Sequence, residues 1–84
     1  MKFFVLKVIK NDKDPLALIG MYLANAVDKN NKAERLFVNH PALALIYDPT
    51  YSNSLDTIDK IRNRCKVNFG IELEPKEIIV TIKD

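Results

Sequence analysis

Cys65 is the one side chain in this sequence able to act as a soft nucleophile. A thiol attacks as its thiolate, and the neighbouring Arg62, Arg64 and Lys66 favour that form. Cys65 is therefore a candidate catalytic residue for thiol chemistry. The same position falls in line with Leu55, Ile58 and Ile61 at helical spacing, where a cysteine serves as a small core hydrophobe. His40 is the single histidine and the second catalytic candidate. A carboxylate set against it, from Asp12 or Asp14, is an acid–base pair or a weak metal site. The plainer roles are Asp14 as a helix cap, Asp12 as a turn residue and His40 as a surface residue before Pro41.

A third cluster is basic. Lys60, Arg62, Arg64 and Lys66 stand within seven residues and include no acid, a pattern that can grip phosphates. No aromatic residue interleaves with them, so base stacking is not indicated, and basic residues also suit the C-terminal turn of a helix. Two glycines cannot build a phosphate-cradling loop, and neither zinc-ligand spacing nor a Ser-His-Asp order is present. The expectation is a protein without a metal or cofactor and without an enzyme's machinery.

These groups need elements to position them. Residues 3–9 form a nearly unbroken apolar run, as in a strand covered on both faces. Asp14 and Pro15 then read as the N-cap and first position of a helix reaching about residue 28, with Leu16, Ile19, Leu23, Ala26 and Val27 on one face. Leu18 and Met21 fall on the opposite side, a surplus apolar surface that points to self-association (a homo-oligomer) or to a protein partner. Residues 30–32 are a turn and 35–38 a second strand. Residues 39–47 read as either a short helix from Pro41 or an extended segment, with the helix preferred for its Ala and Leu content.

After a loop at 48–53, Ser54 caps a helix whose stripe is Leu55, Ile58, Ile61 and Cys65. Residues 67–73 form a strand, 74–76 a tight turn and 77–82 a last strand. The order is β-α-β-(α)-α-β-β. It predicts an α/β sandwich of two or three layers on a mixed or parallel sheet of about four strands, with 3–9 and 77–82 central. In such a βαβ unit the loops after the first two strands share one sheet edge. That edge gathers Asp12, Asp14, Asn39 and His40 as the ligand-edge candidates.

Size and composition agree with one small domain over residues 1–84. A chain this short buries roughly 60–65% of its unfolded surface, and 48% hydrophobic with 29% charged residues is ordinary globular composition. The net charge of +2, from 13 basic and 11 acidic residues, is too balanced to select nucleic acid or membrane by itself. One cysteine forms no internal disulfide, and Lys7 and Lys10 interrupt the apolar start, so a cytoplasmic location is expected.

The first half, residues 3–46, resembles DsrE-like sulfur-relay proteins. The resemblance rests on a helix with small residues at Leu23-Ala24-Asn25-Ala26 and on a second strand leading through Asn39-His40-Pro41 into Ala42-Leu43-Ala44-Leu45. The whole chain is also similar to TusA-like sulfur carriers, in which a Cys-Pro begins the first helix. Here Asp14-Pro15 stands at that place, and Asp48-Pro49 precedes the second helix. The resemblance implies a degenerate, non-catalytic relative that acts through protein–protein contacts. A further similarity, from Asp56-Thr57 through Arg62-Asn63-Arg64, is to the second helix of Alba-like nucleic-acid binders. It implies nucleic acid as an alternative partner, held by Lys60, Arg62, Arg64 and Lys66.

Overall fold

The computed structural model describes residues 2–28, 30, 32–48 and 54–79. Four strands are present among them: β1 (Lys2–Asn11), β2 (Tyr22–Leu23), β3 (Phe37–Val38) and β4 (Ile71–Ile79). They form one sheet in the order β3-β2-β1-β4, and every neighbouring pair is antiparallel. One α-helix, α1 (Ser54–Phe69), packs against it. The expected α/β sandwich with a parallel or mixed sheet is thus corrected: among the described residues there is no βαβ unit, and the fold is mostly sheet.

The largest departure is at residues 15–28, where a helix was expected and a turn followed by β2 stands instead. The Asp14-Pro15 start does begin a turn, with Asp14 Oδ1 accepting from Leu16 N at 3.3 Å and Asp14 O from Ala17 N at 3.0 Å. It ends at once because Leu18 adopts φ 67° and Gly20 φ 84°, conformations that no right-handed helix contains. The sheet competes for the same backbone: Gly20 N donates to Val8 O at 3.0 Å, and Met21 O accepts from Val8 N at 2.8 Å. Apolar residues at helical spacing are consistent with a helix but do not compel one, and tertiary pairing overrides them here. Leu18 and Met21 pack against the core rather than forming an outward helix face, so the proposed self-association surface does not exist in that form.

The second half departs differently. Residues 67–69 extend α1, which ends at Gly70 with φ 67° and Gly70 N donating to Lys66 O at 2.9 Å. Glycine adopts this left-handed conformation without a Cβ penalty, the usual way to stop a helix. The chain then runs as one strand through 74–76, where a tight turn was expected. Proline is tolerated there because β4 is an edge strand. The outer part of the expected last strand, 80–82, lies outside the described residues, as does 49–53 of the loop expected at 48–53. In the ambiguous stretch, Pro41–Leu43 forms a single 3-10 turn, and Tyr47 bridges to Phe4 beside β1.

The core lies between the sheet and α1. Leu6, Val8, Leu23, Leu36, Phe37, Ile58, Cys65, Ile71 and Leu73 are buried together. Fully burying a Leu or Ile side chain contributes roughly 1.5–3 kcal/mol, so these residues hold the helix to the sheet. Among the described residues, no helix is long and apolar enough to cross a membrane.

Candidate functional site

The four ligand-edge candidates do not converge. β1 and β3 point the same way with β2 between them, but Lys7, Tyr22 and Val38 are level in the register. β1 continues four residues further to Asn11, about 13 Å at the usual strand rise. Asp12 is held at that far end by Lys10 at 3.6 Å and by its own N–H on Gly70 O at 2.8 Å. Asp14 serves as the turn cap described above. His40 Nδ1 accepts from Ala42 N at 3.1 Å, capping the 3-10 turn, and Asn39 is exposed beside it. No hydrogen bond or ion pair among the described residues joins either aspartate to Asn39 or His40. No group of three His, Cys, Asp or Glu side chains among the described residues could hold a metal ion.

Cys65 sits in the core with no exposed surface, packed among the residues under α1. Burial pushes its thiol up to about 11, so it is protonated at neutral pH. The basic neighbours do not offset this: Arg64 and Lys66 are adjacent positions that point in other directions, and Arg62, three residues back, is engaged with β4. Arg62 donates from Nε to Leu73 O at 2.9 Å, and Lys66 pairs with Glu72 at 2.8 Å. The arrangement gives Cys65 neither access nor a thiolate.

The basic cluster divides across the helix. Arg62 and Lys66, four residues apart, lean on β4 and are engaged there. The Lys66 ammonium lowers the Glu72 carboxyl below its ordinary range, and the hydrogen bond between them raises Lys66 in return. Lys60 and Arg64 occupy another flank and are exposed. Arg64 lines a shallow depression with Ala26, Val27, Asp28 and Asn68. All four basic side chains are exposed, but Arg62 and Lys66 are engaged with β4.

A surface that sequence reasoning missed lies on the loop between β1 and β2. Leu16 is 94% exposed, and Ile19 and Ile9 are each 46% exposed. Ile9, Pro15 and Ile19 line a depression of about 300 Å³ with Lys10, Asn11 and Asp12. Ile9 reaches this surface because a register shift between Val8 and Lys10 leaves it without a partner on β4. Asn11, buried at the base of the loop, sets its shape. Its Nδ2 donates to Ala17 O, and its Oδ1 accepts from Lys13 N and Asp14 N, each at 3.2 Å. The sequence signals for this loop were the turn-forming 11–15 stretch and Gly20. Helical spacing of Leu16, Ile19 and Leu23 outweighed them. Set against known protein families, curated proteins and solved structures, the chain matches none.

Proposed function

We propose that this chain is a non-catalytic contact module that binds a protein partner through the loop between β1 and β2. The observation that carries the reading is the exposure of Leu16, Ile19 and Ile9, the two isoleucines lining one depression, on a loop shaped by the Asn11 hydrogen bonds. Leu18 holds a left-handed conformation that costs a non-glycine residue roughly 1–2 kcal/mol. Such strain persists only where the surroundings over-determine it, and it concentrates at functional surfaces. The exposed Lys10, Asp12, Lys13 and Asp14 form a rim of both signs around the apolar centre, the general anatomy of a protein interface. The reading keeps the protein-contact part of the sulfur-relay resemblance and leaves out the transfer chemistry, because Cys65 is buried and protonated.

Peptide-display selection on the folded chain tests it. Recovered peptides should carry apolar anchors, and their binding should weaken at least tenfold in Leu16→Asp/Ile19→Asp, a loss of about 1.4 kcal/mol or more. Peptides unaffected by that double change contradict the proposal. The nucleic-acid reading stays as the second, favoured by the outward pair Lys60 and Arg64. It expects retention on DNA or RNA that falls steeply with salt and disappears in Lys60→Glu/Arg64→Glu.

A further inference from the structure

The register of β1 fixes which way every backbone group of β4 points. Phe4 exchanges both of its backbone hydrogen bonds with Tyr47, and Val8 bonds to Met21 and Gly20. Even-numbered β1 residues in this stretch thus turn their N–H and C=O groups toward the β2 side. Odd-numbered ones serve β4. Leu6 and Val8 lie opposite Pro75 and Leu73 in the ladder, so these are the pairs without mutual hydrogen bonds. The backbone groups of Leu73 and Pro75 therefore face outward, along the edge of the sheet that no described strand pairs.

An edge strand of nine residues is a template for another strand. At each of the two outward positions at its centre, one pairing group is missing or already taken. Pro75 has no N–H to offer. The Leu73 carbonyl accepts from Arg62 Nε at 2.9 Å, and Asp59 holds the same guanidinium at 3.9 Å from one helical turn back. Beside them the Lys66–Glu72 pair, at 2.8 Å, lays a charged bridge from α1 to the strand.

We propose that Arg62 is an edge guard. With Pro75 it blocks the outer edge of β4 against antiparallel pairing with the β4 of a second copy of the chain. The guanidinium does what a paired strand would do, satisfying the Leu73 carbonyl, and it occupies the space the second strand would need. This assigns Arg62 to the sheet rather than to a phosphate, although it stands in the basic cluster.

Analytical ultracentrifugation of the full chain over a concentration series tests the proposal. Arg62→Ala and Pro75→Val each restore one edge group, and each should tighten self-association by about tenfold, the scale of one net backbone hydrogen bond. The double variant should tighten it further. Pro75→Val leaves α1 and Arg62 intact, so it keeps the test decisive if Arg62→Ala folds poorly. Hydrogen exchange then locates the contact: the Leu73 amide, which points outward, should gain protection in the associated form. Unchanged association in Pro75→Val and in a folded Arg62→Ala overturns the proposal. So does association that leaves the Leu73 amide unprotected, which would place the contact elsewhere, as on the Leu16 loop.

Discussion

Cys65 and Tyr47 are two buried polar groups whose titration and hydrogen bonding give direct checks on the packing. The Cys65 thiol is raised from an ordinary 9.0 to about 11 by burial. A folded-state value above the unfolded one means that between pH 9 and 11 the unfolded chain ionises while the folded chain does not. Stability is therefore complete below pH 9 and falls as pH rises toward 11, by up to about 3 kcal/mol at about 1.4 kcal/mol per pH unit. Urea midpoints measured across that range should fall less steeply in Cys65→Ala than in the parent, and equal slopes would contradict burial of the thiol. The Tyr47 hydroxyl is buried without a hydrogen-bond partner among the described residues, and burial raises its pKa as well. An unsatisfied buried hydroxyl costs about 1–3 kcal/mol. Tyr47→Phe should accordingly raise the unfolding free energy by about 1 kcal/mol, as read from chemical denaturation, where most core substitutions lower it.

At the scale of the element, the junction between α1 and β4 depends on one residue. Gly70 ends the helix at φ 67°, and a Cβ added there would stand 3.4 Å from the Asp12 Cβ. That distance is ordinary van der Waals contact, so the left-handed conformation is what opposes a side chain, and Gly70→Ala should cost about 1–2 kcal/mol in thermal or chemical unfolding. Gly20→Ala meets open space at φ 84° and should show the conformational cost alone. These junctions also explain how far the sequence could be read. The strand at 3–9 and the helix from Ser54 with Ile58 and Cys65 inward were legible, because long apolar patterns with a cap signal little else. The helix expected at 15–28 failed because its spacing was compatible with a loop whose backbone bonds go to Val8. The turn expected at 74–76 failed because Pro75 reads as a turn signal wherever the strand's place in the sheet is unknown, and only an edge position makes it harmless. The ligand edge fell with the parallel sheet that would have assembled it. The apolar loop surface was invisible because Leu16 and Ile19 fall at helical spacing and Ile9 falls within the strand at 3–9.

For the whole molecule, among the described residues one helix covers one side of a four-stranded sheet, the β4 edge is blocked by Arg62 and Pro75, and the long loop carries the most exposed leucine. Surface is offered in one place and guarded in another. The offered loop surface is the central claim, and site-specific photo-crosslinking of the full chain in cells that make it tests the claim most directly. With the photoreactive residue at position 16, a discrete protein adduct should form and should vanish when Ile19 is changed to Asp. With it at position 64, no protein adduct should form. Adducts at position 64 that nuclease removes, with none at position 16, would contradict the account and move the function to the outward basic flank of α1.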